Sequence, residues 1–428
     1  MGRPLTAGWT CLVCGASVDI AQPLAWRCPN AVGDDRHHEL ELVQRVGELV
    51  PFADPNPFLA FRPYLAWDAY AAALGLTDAA RAALVADLDA RVAAVAGTGF
   101  VVTPFARADE LSSALGFSDR GGVWIKDETH AVGGSHKARH LVTIMLHLLA
   151  TEVAGRAPWT SPAGRPPLAI ASCGNAAVAA ATLAAAAVWP IRVFVPDAAD
   201  PAVLALLESL GADVQHCPRL ASDRPGDPCV HRFREAVAAG AVPFSVQGPE
   251  NAWCLDGGRT IGWEVATQGA EVGLDRAFVQ VGGGALAACL AAGMADVALP
   301  RVHAVQTASC APLARAWHAS ERVDPAEVHL RWTDLMWPWE HVGTSAADGI
   351  LDDETYDWLP VLQAMRTSNG SPLVVTEEHV RAANDLVVEH TDIDASFTGS
   401  AGLAGVLAFR HELNEDERIA VVLSGARR

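Results

Sequence analysis

From about residue 120 onward, short β-branched or apolar runs alternate with longer alanine-rich stretches, and that rhythm predicts an α/β fold with mainly parallel strands. "VWIKDE" at 123–128, "PLAIAS" at 167–172, "IRVFVPD" at 191–197 and "DVQHC" at 213–217 read as strands. "AFVQVGGG" at 277–284, "VHAVQT" at 302–307 and "IAVVLSG" at 419–425 each run from a strand into a turn. The run that starts at Lys137, "KARHLVTIMLHLLA", is helical, and "PAVLALLESLG" at 201–211 opens on a helix-compatible proline and stops at Gly211. Another helix is predicted over 78–97, where apolar residues recur at helical spacing as far as Gly97. The most apolar stretch, 176–188, is short and alanine-rich. Trp189, Pro190 and Arg192 follow it, so a buried helix running into a strand fits better than a membrane span.

Composition narrows the partners. A chain of 428 residues is expected to form more than one packed unit. Its 31 basic and 50 acidic residues give a net charge of −19, which disfavours nucleic acid, and no segment suggests a membrane. The start, "MGRPLTAGWTCLVCG", has no apolar signal core, so a cytoplasmic location is expected. Nine cysteines in such a chain suggest reduced thiols and metal ligands rather than a disulfide framework.

Three strand ends lead into small-residue loops: "ASCGN" at 171–175, "VGGGA" at 281–285 and "LSGA" at 423–426. Ligands of open parallel sheets bind outside the carboxyl ends of the strands, so these loops are expected to line one crevice. "GGSHKARH" at 133–140 puts Lys137 at a helix N-terminus, where desolvation and the helix dipole favour the neutral amine that a Schiff base needs. The same dipole attracts anions, and a solvated basic helix start is the plainer alternative. "VGGGALAA" at 281–288 offers consecutive backbone N–H groups to a phosphate. It also satisfies G-x-G-x-x-A through Gly282, Gly284 and Ala287, although the next strand ends in Gln306 and Thr307 instead of a ribose-holding acid. A glycine turn that merely allows tight helix–sheet packing is the structural alternative. "SCGN" sets Ser172, Cys173, Gly174 and Asn175 at a helix start, where a carboxylate or an aromatic oxygen could be held; Asn175 could equally be a plain N-cap. No G-x-S-x-G occurs, which removes the α/β-hydrolase nucleophile elbow.

Taken in order, "KDETHAVGGSHKAR", "SCGN", "VGGGAL" and "LSGA" resemble the fold type II pyridoxal-phosphate enzymes over roughly residues 95–428; threonine synthase, the serine and threonine dehydratases and the tryptophan synthase β subunit are examples. The resemblance implies an α/β fold of two open, mainly parallel sheets flanked by helices, with pyridoxal 5′-phosphate as cofactor. It implies that Lys137 carries the cofactor as a Schiff base and removes the substrate α-proton. Gly282, Gly283 and Gly284, with Ala285 where many relatives have a fourth glycine, would cradle the phosphate. Asn175 would sit beside the ring hydroxyl and Ser424 would face the pyridine nitrogen. Ser135, Ser172, Cys173 and Gly174 would bind the substrate. A neutral hydroxyl at the ring nitrogen makes the ring a weaker electron sink than a carboxylate partner would, which suits α,β-elimination or β-replacement.

The first 45 residues stand apart, with "CLVCG" at 11–15, "WRCPN" at 26–30 and "GDDRHHEL" at 33–40. They resemble the zinc-ribbon-like prefix of some threonine synthase relatives. Cys11 and Cys14 form a C-x-x-C, but Asn30 stands where the second knuckle would have a cysteine, so the implied zinc set is Cys11, Cys14, Cys28 and a histidine. His38 is preferred to His37 because it adjoins the "EL" that begins an element; unliganded reduced cysteines are the alternative. The expected domains are a zinc-ribbon-like module over 1–45, a connector and the first part of a large cofactor-binding domain over 46–135, a small α/β domain over 136–248, and the rest of the large domain over 249–428.

The expected activity is α,β-elimination on a small amino acid, of the dehydratase or ammonia-lyase type, by a homodimer. A threonine-synthase-like or β-replacement synthase is the alternative within the class; a nicotinamide-dependent oxidoreductase and a non-catalytic cofactor-binding protein are more distant. His136 and Arg139 receive no role, and the tryptophan-rich 334–358 segment reads as a contact loop or as ordinary packing.

Overall fold

A computed structural model describes residues 5–33 and 35–427. In chain order the strands are β1 Leu5–Cys11, β2 Ser17–Asp19, β3 Leu40–Arg45, β4 Phe105–Arg107, β5 Gly122–Asp127, β6 Leu168–Ala171, β7 Ile191–Val195, β8 Asp213–His216, β9 Val242–Pro243, β10 Arg276–Gln280, β11 Arg301–Thr307, β12 Ser371–Val375 and β13 Arg418–Leu423. The chain divides into two compact units. One comprises Met1–Val101, Ala131–Gly133 and Lys137–Gly257; the other comprises Val102–His130, Gly134–His136 and Gly258–Arg428. The α/β class with mainly parallel sheets expected from the sequence is the fold observed.

The first unit holds two sheets. The N-terminal one is antiparallel in the order β2-β1-β3, with a bulge between Thr6 and Gly8. The other is parallel in the order β8-β7-β6-β9. β6 and β7 are apolar runs because helices cover both faces of a parallel sheet. The helix Lys137–Val153 is buried continuously from Ala138 to Thr151, so no polar stripe marks its surface. The alanine-rich helix Asn175–Ala187 is likewise almost entirely buried, and small side chains let backbones approach closely there. The helix Trp253–Gln268 crosses close to the Lys137 helix at Gly257, where a Cβ would collide with the carbonyl oxygen of Arg139.

The second unit is built on a six-stranded sheet in the order β12-β11-β10-β13-β5-β4, parallel except for β4. Its core joins Val123, Ile125, Phe278, Val305, Val421 and Leu423 on the strands to Leu403 and Val406 on the helix Phe397–Ala408. Register matters for the site: Val421 pairs with Ile125 and with Phe278, and Leu423 pairs with Asp127. The segments that leave β5, β10 and β13 therefore emerge at one edge of the sheet. β12 contains Pro372 and is an edge strand, the place where a missing ladder donor is tolerated.

A fully buried ion pair lies in the same unit. Lys126 Nζ donates to Glu264 Oε2 and to the Thr103 carbonyl (2.6 Å), and Glu264 Oε2 also accepts from the Thr103 amide (3.0 Å). The Thr103 hydroxyl donates to Glu128 Oε1. Among the described residues, no helix is long and apolar enough to cross a membrane.

Candidate active site

Within the second unit, Gly282, Gly283 and Gly284 connect β10 to the helix Ala285–Ala295. Gly284 occupies the N-cap position at φ 101°, a left-handed conformation that favours glycine, and no side chain caps the helix. Gly282 must be glycine because a Cβ would overlap the Asp352 carboxylate and the backbone at Ile350. The Asp357 amide donates to the Gly283 carbonyl (2.8 Å), so the 350–357 segment is fastened across the loop on that side. Among the described residues, none accepts from the amides of Gly283, Gly284, Ala285 or Leu286. Consecutive unpaired donors at the start of a helix, with the helix dipole behind them, suit a phosphate dianion.

Ser424 follows β13 directly and is buried. Its Oγ accepts a hydrogen bond from the His136 backbone amide (3.1 Å) and lies 2.6 Å from His136 Nδ1. His136 is buried as well, and the Ala426 amide donates to the Gly134 carbonyl (2.8 Å). The segment ahead of Lys137 is thus pinned to the end of β13 by three contacts. No sequence signal could have found this pairing, since the partners lie 288 residues apart. Gln280, the last residue of β10, donates from Nε2 to the carbonyls of Gly399 and Val422 (both 3.1 Å) and keeps Oε1 buried without a partner among the described residues.

In the first unit, Lys137 is the first residue of its helix and half-buried. His140, one turn on, is fully buried; burial, then the neighbouring Lys137 cation, holds its imidazole down at about 3, and Nδ1–H donates to the Cys254 carbonyl (2.9 Å). A neutral ring one turn behind the amine adds no charge to it. Arg139, unassigned from the sequence, is buried and donates from Nη2 to the Val101 carbonyl (3.2 Å).

At the end of β6, the Gly174 amide donates to Ser172 Oγ (3.4 Å), and the helix begins at Asn175 with Gly174 as its N-cap. The Asn175 side chain is therefore not the cap, and it bonds to no described residue. Its amide and the first backbone N–H groups of a thirteen-residue helix are open to a ligand. Cys173 is exposed in this loop. Ser135 is buried in the second unit, beside His136 in sequence.

The N-terminal module carries a second constellation. One ligand atom each from Cys11, Cys14, Cys28 and His38 lies within 4.8 Å of the others. Cys11 Sγ is 3.4 Å from His38 Nδ1, and Cys14 Sγ is 3.5 Å from Cys28 Sγ. Zinc–thiolate bonds of about 2.3 Å give a tetrahedron with edges of about 3.8 Å, so little movement would be needed to receive an ion. His38 Nε2 lies 3.3 Å from Asp35 Oδ2, a contact that leaves Nδ1 as the lone-pair donor. Asn30, in the place of a fourth cysteine, donates from its backbone amide to Cys28 Sγ (3.4 Å) and from Nδ2 to Cys14 Sγ (3.3 Å). Burial pushes the Cys14 thiol up, but hydrogen bonds from Ala16, Asn30 and the two neighbouring thiols outweigh it and bring it down to about 6. Burial, with Cys14 and Cys11 nearby, pushes Cys28 up to about 12.

The two parallel sheets and the glycine loop leading into a helix define a class of α/β enzymes that hold a phosphorylated cofactor at strand ends. Residues 98–425 match the family described as pyridoxal-phosphate dependent enzyme, and the chain belongs to that family. The fold is similar to threonine deaminase isoform 2 from Solanum lycopersicum (20% identity, 83% of this chain and 92% of that chain, TM-score 0.60). It is also similar to a second threonine deaminase, that of T.th. (23% identity, 80% and 98%, TM-score 0.59). Diaminopropionate ammonia lyase from Escherichia coli is a third similar structure (17% identity, 81% and 88%, TM-score 0.60). No curated protein sequence matches the chain. The residues present fit pyridoxal phosphate: an uncapped glycine loop offers amides to a phosphate, and a lysine stands at a helix start.

Proposed function

We propose that the protein catalyses α,β-elimination on a small amino acid bearing a β-leaving group, through pyridoxal phosphate held on Lys137. The observation that carries the reading is the neutral hydroxyl of Ser424, at the end of β13 and bonded to the residue that precedes Lys137. A hydroxyl at the ring nitrogen, in place of a carboxylate, leaves that nitrogen without an anionic partner. Bound pyridoxal phosphate supplies an electron sink that acidifies the α-proton of an amino acid. Lys137 Nζ holds the cofactor and, as a neutral amine, accepts that proton. The amides of Gly283, Gly284 and Ala285 bind the phosphate. The start of the Asn175–Ala187 helix, with Ser172 and Gly174, receives the substrate carboxylate, and the Asn175 amide meets the ring hydroxyl.

The test is the visible absorption of the purified protein after supplying pyridoxal phosphate. A bound chromophore that disappears in Lys137→Ala supports the anchor; absence of a chromophore in the wild-type protein overturns it. Screening small amino acids then reads the reaction class. Release of a keto acid and ammonia without an added nucleophile supports elimination, whereas turnover only with a nucleophile assigns a replacement synthase. For the N-terminal module, the reading is a structural zinc ion on Cys11, Cys14, Cys28 and His38.

A further inference from the structure

We infer that His136 is a positioning residue that fixes which way the Ser424 hydroxyl points, and so keeps the cofactor's ring nitrogen unprotonated. The inference rests on the placing of Ser424 at that nitrogen. A serine oxygen has one hydrogen to donate and two lone pairs to accept with. The His136 backbone amide already fills one lone pair at 3.1 Å, and His136 Nδ1 stands 2.6 Å away. Among the described residues, no other group accepts from the Ser424 hydroxyl. Two arrangements follow, set by the imidazole. With the proton on Nδ1, both lone pairs are filled and Ser424 can only donate outward, to an acceptor such as an unprotonated pyridine nitrogen. With Nδ1 bare, the hydroxyl turns to the imidazole, and its remaining lone pair accepts from a protonated ring nitrogen.

The first arrangement uses the Ser424 hydroxyl hydrogen and both of its lone pairs when a neutral ring is bound. It also avoids a ring cation at a buried position that offers it only a hydroxyl oxygen. Serine alone would be indifferent between the two states, since a hydroxyl both donates and accepts. A serine clamped by two donors from one residue is not. The histidine immediately ahead of the lysine thus tunes the electronics of a ring it need not touch.

The experiment loads the holoenzyme with pyridoxal phosphate carrying 15N in the ring and reads the nitrogen chemical shift, which separates neutral from protonated pyridine. The wild type is expected at the neutral position. His136→Phe keeps the backbone amide contact but loses the Nδ1 donor, and its ring nitrogen is expected to move toward the protonated position. His136→Asn restores a side-chain donor and is expected to return toward wild type. Ser424→Ala is expected to shift the resonance irrespective of residue 136, so that adding His136→Phe to it changes nothing further. A protonated ring in the wild type overturns the inference. So does a His136→Phe resonance identical to wild type while Ser424→Ala moves. An unmoved resonance in Ser424→Ala instead overturns the placing of Ser424, and the inference with it.

Discussion

Lowering the pH from 7 to 4.5 should destabilise the protein partly through His147, which sits on the helix headed by Lys137. The ring is fully buried, stacked on Trp253 at 4.2 Å and 6°. Trp9 and Tyr70 lie against it, at 6.2 Å and 5.1 Å between ring centroids. Nδ1–H donates to the Thr143 carbonyl (2.8 Å), and Nε2 has no partner among the described residues. Burial holds the imidazole down at about 3, against 6.5 for an ordinary histidine, and the Thr143 carbonyl offsets only part of that. The sign follows from proton counts. Between these values the unfolded chain binds the proton and the folded chain does not, so stability is full above 6.5 and falls as pH drops below it. Two pH units below 6.5, at about 1.4 kcal/mol per unit, the loss from this one residue is about 3 kcal/mol. His147→Phe retains the aromatic stack but cannot titrate, so its stability should fall by about 3 kcal/mol less than wild type over the same interval. Urea unfolding followed by tryptophan fluorescence at pH 7 and 4.5 measures both. Equal pH dependence in the two proteins would refute the reasoning.

Other outcomes are equally specific. Cys28→Ser should abolish stoichiometric zinc, and Asp35→Ala, which releases His38 Nε2, should weaken zinc binding by about 10- to 100-fold in competition with a chelator. Lys126→Met leaves Glu264 as a buried carboxylate without its cation and should cost about 3–5 kcal/mol by urea denaturation. The double replacement Lys126→Met with Glu264→Leu should recover most of that loss, and a double variant no more stable than the single one would contradict the account.

Much of the fold is legible in the sequence because parallel strands covered on both faces are nearly continuous apolar runs. β6 and β7 fall inside such runs, β10, β11 and β13 begin one arginine ahead of theirs, and the helix at Lys137 begins at the lysine itself. The strands of the two larger sheets that escape are short or break the pattern. β4 and β9 span three and two residues, and β12 contains a proline. In the N-terminal module, the cysteine spacing is readable but its strands are not, because residues such as Thr10 and Ser17 face each other across a small sheet with little apolar periodicity. At the site, the glycine loop, Lys137 and Asn175 are visible as motifs. The partner of His136 is not, because a tertiary contact between a loop and a strand end leaves no periodic trace. The same holds for Asn30, whose amides point at sulfur only after the knuckle has folded.

The order β12-β11-β10-β13-β5-β4 has a consequence for the timing of synthesis. β13 is the last of these strands to leave the ribosome, yet it lies in the interior of the sheet, between β10 and β5. Until it arrives, β5 and β10 each expose an unpaired edge of the kind that recruits foreign strands. Ser424 arrives with it, so the nascent chain cannot complete its hold on the loop before Lys137 until β13 and Ser424 have been made. A ribosome that stalls early would release a product with its sheet open and its lysine loop unpinned, a natural substrate for chaperones and proteases.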